Sequence, residues 1–172
     1  MMSNLGQKKN KDSHFPSLLD KLTDFEPNKK VESAAQRRMT LSMYKAAVLR
    51  DLLWLLNTTC PKFTSSLDGL ENVSGSVLNY GIQTLSGNTV SEINWSKVQE
   101  NIKQVIICFE PRIDKEKLEI DCIVGQNNTL NEFVIEIKGF LKLNPYPQEF
   151  LFRSNMDLET GHFSSPAEEV MN

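Results

Sequence analysis

Two stretches of the chain place apolar residues at the spacing of an amphipathic α-helix. The first runs from about Thr40 to Leu56, with Thr40 as the expected N-cap. The second runs from about Ser91 to Phe109 and has one clean apolar face, formed by Trp95, Val98, Ile102, Val105, Ile106 and Phe109. The first helix has so few polar positions that more than one of its sides must be covered, either by its own domain or by a partner.

Beyond the second helix the pattern changes from the helical period to the alternation of β-strands. Apolar and polar residues alternate from Leu118 to Val124 and from Phe133 to Leu143, and a third strand begins at Phe150. A short helix is expected after Pro16. The order predicts an α+β fold, with two main helices and a short N-terminal helix packed on an antiparallel sheet of about three strands. Unless they are capped, the two edges of such a sheet can accept a strand from another protein.

The length and composition are those of one globular domain. The chain has 172 residues, of which 40% are hydrophobic and 24% charged, so it is expected to fold. We expect a disordered polar N-terminus over residues 1–14, a single domain over 15–163 and a flexible tail over 164–172. The polar segment 57–76 is predicted as a long loop, which in a compact domain is usually functional or mobile.

The charge and the apolar runs exclude two classes of partner. A net charge of −3 argues against binding nucleic acid along a broad face, because such binding needs a surplus of lysine and arginine. The most apolar run, residues 52–56, is far shorter than the roughly 20 residues that cross a bilayer. The sequence therefore predicts neither a nucleic-acid partner nor direct membrane insertion.

The three cysteines form no metal-binding or redox pattern. Cys60, Cys108 and Cys122 are far apart, with no Cys-x-x-Cys pair and no histidine close by. An odd number of cysteines without a signal peptide fits a reducing cytoplasm. Cys108, at the end of the second helix, and Cys122, on the apolar face of a strand, are both expected to be small core residues.

Catalytic motifs are missing as well. The sequence contains no phosphate-binding glycine loop and no nucleophile elbow, and His14 and His162 stand alone in the terminal segments. Glu110 closes an apolar helix, which makes it the candidate for the acid of a glycan hydrolase. A general acid needs an apolar, uncompensated site, and an arginine two residues away favours the ionised form instead. We therefore predict no catalytic residue, no cofactor, no metal site and no small-molecule substrate.

The Glu110-Pro111-Arg112 segment carries the clearest physical signal. Pro111 ends the helix and forces Glu110 out of helical geometry, so Glu110 and Arg112 are expected to project to the same side. One interpretation is a surface ion pair worth about 0–1 kcal/mol. The other is a pair that docks a partner, where desolvation gives the charges more weight. Local sequence leaves both open.

Five segments occur in the order seen in one known family. They are PSLLDKL at 16–22, AVLRDLLWLLNT at 47–58, SVLNYG at 76–81, FEPR at 109–112 and DLETG at 157–161. In these segments the chain resembles the TssE family of the bacterial type VI secretion baseplate, which is related to the wedge proteins of contractile phage baseplates. It departs from the family at Lys21, at Thr59-Cys60 and at residues 82–84, where the family usually has an arginine, a pair of arginines and a Leu-Pro-Asp-like turn.

The resemblance implies a structural baseplate component on the cytoplasmic side of the secretion apparatus. Such a subunit is held by TssF and TssG. Its Glu-Pro-Arg motif, here Glu110, Pro111 and Arg112, would dock on the wedge core. Its sheet would let the TssB/TssC sheath start to assemble by strand addition along an open edge between about Leu118 and Phe152.

Two interpretations from other classes remain. A free-standing adaptor that binds peptides along its sheet edge would be stable and monomeric without TssF and TssG. A small glycan hydrolase would be detected by a cell-wall turnover assay.

Overall fold

The computed structural model describes residues 16–23, 27–28, 39–60, 71–87, 89, 91–124 and 132–164. These residues contain four α-helices: α1 (Leu18–Leu22), α2 (Leu41–Leu56), α3 (Glu71–Ser74) and α4 (Trp95–Phe109). They also contain one antiparallel sheet, whose strands lie in chain order: β1 (Glu119–Val124), β2 (Glu132–Leu141), β3 (Gln148–Asp157) and β4 (His162–Phe163). Two single 3₁₀ turns lie at Val77–Asn79 and Lys115–Lys117.

Polar side chains fix where the two long helices begin. The Thr40 hydroxyl accepts a hydrogen bond from the backbone N–H three residues on, so α2 starts where the sequence predicted. In α4 the same role falls to Asn94, and the helix begins at Trp95. The predicted start near Ser91 is therefore wrong by four residues, because the asparagine side chain competes for the first free N–H groups of the helix.

The core lies between the inner face of the sheet and the two long helices. Along β2 and β3 every second residue is buried, and Ile137 of β2 pairs with both Ile120 of β1 and Phe152 of β3. The α+β class and the layer of helices on one face are thus confirmed. The sheet has a short fourth strand beyond the three predicted, and it adds the buried side chain of Phe163 to the core.

The three cysteines are free, and they differ in how far their side chains are buried. Cys60 is buried, and Cys122 is half-buried against the core as predicted. The expectation that Cys108 is a core residue is wrong, because its side chain is exposed. Ile102 and Ile106 define the buried stripe of α4, and a residue two positions past Ile106 points away from that stripe.

Some sequence-based expectations fall outside the described residues. These include the terminal segments 1–14 and 165–172 and the central part of the predicted loop, residues 61–70. In the part of the chain that the structure describes, no helix is long and apolar enough to cross a membrane. Within the same part, no cluster of three or more histidine, cysteine or acidic side chains is placed to hold a metal ion.

Candidate functional site

The Glu-Pro-Arg bend adopts the geometry that its sequence predicts. Glu110 leaves helical geometry at φ −121°, ψ 76°, and Arg112 projects to the same side of the chain. The Arg112 Nε donates to Glu110 Oε1 at 2.6 Å, and Nη2 donates to Oε2. The backbone N–H of Arg112 adds a third hydrogen bond to Oε1 at 3.2 Å. The guanidinium fork and the carboxylate therefore form a bidentate pair on a fixed bend.

This pair is neither isolated nor a simple surface pair. The Glu110 residue is only 4% exposed. Arg112 Nη2 also donates to Asp51 Oδ2 on α2, at 2.6 Å. Asp51 Oδ1 accepts from Arg50, whose Nη1 reaches Asp20 Oδ1 on α1 at 2.7 Å. Three carboxylates and two guanidiniums thus alternate along one line, Glu110–Arg112–Asp51–Arg50–Asp20, which we term the ion-pair chain.

Four of the five segments that carry the family resemblance meet at the ion-pair chain. Segment 16–22 supplies Asp20, segment 47–58 supplies Arg50 and Asp51, and segment 109–112 supplies the bend. Segment 76–81 supplies Tyr80, whose hydroxyl lies 3.5 Å from the carbonyl oxygen of Asp51. The Tyr80 ring packs edge to face on Phe109, with the ring centroids 5.3 Å apart. Residues scattered over nearly 100 positions therefore build one site.

The fifth segment has a separate, structural role. In the turn between β3 and β4, the Asp157 carboxylate accepts from the Glu159 N–H and the Thr160 hydroxyl, at 2.8 and 2.9 Å. Gly161 follows with φ +71°, a backbone conformation that favours glycine. The turn brings Phe163 back to the C-cap of α2, where the Asn57 side chain hydrogen-bonds both its N–H and its carbonyl.

The charges in the ion-pair chain shift the pKa values of their neighbours. Burial of the Arg112 guanidinium opposes its charge, but hydrogen bonds and attraction from Glu110 and Asp51 outweigh this and raise its pKa. For Asp20, burial raises the pKa, while the hydrogen bond from Ser17 and the pairing with Arg50 lower it by more. Asp20 and Arg112 are therefore both fully ionised at neutral pH.

An open groove of about 420 Å³ runs beside the ion-pair chain. Its lining comes from α1 and the residue before it, from α2, from the end of α4, from Tyr80 and from the Glu-Pro-Arg bend. The lining residues are Ser17, Leu19, Asp51, Trp54, Leu55, Tyr80, Phe109, Glu110, Pro111 and Arg112. Leu19 and Trp54 are 46% and 49% exposed, and the Arg50 guanidinium stacks over the Trp54 ring at 4.9 Å. The charged groups in the lining are paired with one another, so the groove offers a mainly apolar surface beside an ordered line of charge.

Sequence reasoning found the bend but missed its partners. Nothing in the local spacing links Asp51 or Asp20 to the bend, because the Arg112–Asp51 contact spans 61 residues and the Arg50–Asp20 contact spans 30. The available signal was the resemblance itself. Both aspartates lie in segments that carry the resemblance, Asp20 in 16–22 and Asp51 in 47–58. That shared membership could have suggested them as partners of Arg112.

The described residues form a small α+β module, with two long helices on an antiparallel sheet and a mainly apolar groove. At its bend the buried Glu110 pairs with the partly buried Arg112, and no described strand covers the outer edge of β1. The chain belongs to the baseplate wedge protein gp25 family, whose model matches residues 42–146, more than half of the chain. No curated protein and no solved structure matches it. The family resemblance carried by the five segments is thus confirmed. Membership gives the chain a structural role among protein partners in a baseplate.

Proposed function

We propose that this chain is the TssE subunit of a type VI secretion baseplate wedge and acts without catalysis in the bacterial cytoplasm. It docks on TssF and TssG through the groove beside Glu110, Pro111 and Arg112, and its sheet edge starts assembly of the TssB/TssC sheath. The domain that does this spans residues 15–163. The family match and the five segments support the proposal.

The observation that carries the docking proposal is the position of Arg112 between two carboxylates at the groove wall. Because Glu110 and Asp51 hold the guanidinium from both sides, the surface next to it is ordered before any partner arrives. A preformed surface loses little conformational entropy on binding. The motif then acts mainly by fixing the groove wall, while Leu19 and Trp54 provide the apolar contact area.

The sheath contact is proposed for the edge formed by β1. Among the described residues β1 pairs with β2 alone, so its other side presents backbone N–H and C=O groups to a strand from outside. Strand addition at such an edge uses the main chain for affinity and the alternating side chains for specificity.

The test of docking is co-purification of the full chain with TssF and TssG from the same cell. Wild type is compared with Glu110→Ala, Arg112→Ala and Trp54→Ala, and circular dichroism checks that each variant folds. Trp54→Ala separates docking from folding, since its side chain is half-exposed and outside the ion-pair chain. Ile123→Ala is the matched control, because Ile123 is 45% exposed but lies on β1, outside the groove lining.

We expect folded Trp54→Ala, Glu110→Ala and Arg112→Ala to lose TssF and TssG while Ile123→Ala retains them. Retention of all three groove variants in folded form would reject the groove as the docking site and leave the wedge role intact. Failure of the wild type to associate would reject the wedge role itself, and the free-standing adaptor would take its place.

A further inference from the structure

The edge strand β1 has two different faces. On the outer face of the sheet it presents Glu119, Asp121 and Ile123, all exposed. On the inner face Ile120 and Cys122 pack against the core but are only half-buried. Since successive side chains alternate in a strand, an incoming neighbour would meet acids on one side and an incompletely covered core on the other.

The side chains of β2 on the outer face neutralise the acids of β1 only in part. In register, Asp121 pairs with Glu136 and Glu119 pairs with Lys138. Lys138 forms an ion pair with Glu136, and its Nζ is 3.8 Å from Asp121. Glu136 is further covered by Arg153, whose Nε donates to Oε2 at 3.0 Å. Lys138 and Arg153 are two cations among three carboxylates, those of Glu119, Asp121 and Glu136, so this part of the outer face keeps a net negative charge of about one.

We infer that β1 selects its incoming strand by charge, and this inference rests on the proposed role of the sheet edge. The strand it fits carries lysine or arginine at two alternate positions, opposite Glu119 and Asp121. The intervening positions are apolar and complete the cover of Ile120 and Cys122. Opposite charges across a strand pair stabilise it, and like charges in that position weaken it.

The same charges argue against a second copy of this chain as the occupant. Pairing β1 with β1 of another molecule would bring Glu119 and Asp121 next to acids on both strands. Like charge along an edge is a common device that prevents self-pairing. The free part of the β3 edge lacks this charge pattern, since its exposed residues Glu149, Leu151, Arg153 and Asn155 carry one acid and one base.

The experiment compares two probes on the full-length chain. One is the TssB/TssC complex from the same cell. The other is a pair of synthetic peptides, Thr-Val-Lys-Val-Lys-Val-Thr and the version with glutamate in place of lysine. Binding is measured by affinity and by hydrogen–deuterium exchange of the β1 amides, which strand addition protects.

The test variant is Glu119→Lys with Asp121→Lys. Its matched control is Glu100→Lys with Glu149→Lys, which makes the same change in net charge on α4 and β3. We expect the lysine peptide and the sheath complex to protect β1 in the wild type and in the control. Reversal of the β1 acids should weaken the binding of the lysine peptide and of the sheath complex by roughly tenfold or more. The variant should bind the glutamate peptide more tightly than the lysine peptide.

The other outcomes distinguish failure of the charge inference from failure of the proposed sheath role. Sheath binding that is unchanged by the β1 reversal overturns the charge inference and leaves the sheath platform standing. Selective protection by the lysine peptide, with no sheath binding, keeps the inference and rejects the sheath as partner. If neither probe protects β1, or if β1 is protected by self-association, the inference falls.

Discussion

Arg112 and Asp51 are 61 residues apart in the sequence, yet their side chains meet at 2.6 Å on the wall of the groove. This contact ties the bend after α4 to the middle of α2. The Glu-Pro-Arg motif is therefore more than a helix stop. It locks two helices together at the place where segments 16–22 and 76–81 also converge.

We predict that Arg112→Ala destabilises the chain by about 3 kcal/mol, because it leaves the buried carboxylate of Glu110 without its cation and with only the backbone N–H of residue 112 as a donor. Asp51 loses one of its two arginine contacts in the same variant. Urea unfolding followed by circular dichroism measures the change. Asp121→Asn is the control, since that carboxylate is mostly exposed and should change stability by less than about 0.5 kcal/mol.

A double variant tests the cause of that loss. Glu110→Gln combined with Arg112→Met removes both charges while keeping the side chains similar in size. If the unpaired buried charge causes the loss, the double variant should recover a large part of it. A double variant that is less stable than Arg112→Ala would show instead that packing around the bend dominates.

The second prediction concerns α1, whose link to α2 includes the Asp20–Arg50 ion pair. No residue of α1 is buried. Asp20→Asn should therefore free α1 and leave the core intact, with a change of less than about 1 kcal/mol in global stability. The amide of Thr23, bonded to the Leu19 carbonyl at 3.0 Å, is the reporter in hydrogen exchange. Faster exchange there in Asp20→Asn, but not in Lys21→Ala, is the expected result.

The pH dependence of α1 follows from the same pair. The pKa of Asp20 in the folded chain lies below its ordinary value of 3.8, mainly because Ser17 and Arg50 outweigh the effect of burial. The ion pair thus contributes its full stability above about pH 4 and loses it as the pH falls through the lowered pKa. Amide chemical shifts of α1 should stay constant from pH 7 to 5 and change only below that value. A transition near neutral pH would contradict this assignment.

Features that depend on local sequence were predicted correctly, and contacts that depend on tertiary packing were not. Thr40 caps α2 as predicted because capping depends on residues three apart, and the alternation in β1 to β3 was visible because burial repeats with the strand period. Local patterns also placed Glu110 and Arg112 on one side. They could not place Asp51 beside Arg112, since that contact depends on how α2 packs on α4. Cys108 was misplaced for a similar reason, because its exposure depends on which stripe of α4 faces the sheet.

A third prediction concerns Gly81, the glycine that closes segment 76–81. Its φ is +118°, and a Cβ there would lie 2.2 Å from the Thr58 carbonyl oxygen. The backbone cannot yield easily, since Ile82 N–H donates to that oxygen at 2.8 Å and Cys60 N–H donates to the Ile82 carbonyl. Gly81→Ala should cost about 3 kcal/mol or more, from the strained φ and the overlap together.

Gly75→Ala is the matched control for Gly81→Ala. A Cβ at Gly75 meets nothing within 4 Å, and its φ lies outside the left-handed region, so stability should change by less than about 0.5 kcal/mol. Thermal unfolding of the two variants side by side gives the comparison. Equal melting temperatures would show that the chain around Thr58 and Gly81 is free to rearrange.

The last prediction uses the cysteines to test the faces of α4 and β1. Burial, helped by the charge of Asp121, raises the pKa of Cys122 to about 11. At pH 8 roughly one molecule in a thousand then carries the reactive thiolate at that position. Cys108 is exposed, so iodoacetamide at pH 8 should modify it at least about 100-fold faster than Cys122, as measured by peptide mass spectrometry.

Two further measurements complete the cysteine test. Alkylation of Cys122 should rise about tenfold per pH unit from pH 8 to 10, because the thiolate fraction rises by that factor below the pKa. In concentrated guanidinium chloride Cys108 and Cys122 should react at similar rates, since unfolding removes the burial that separates them. Equal rates in the folded chain at pH 8 would mean that β1 leaves its inner face open, and the half-buried position of Cys122 on the edge strand would have to be abandoned.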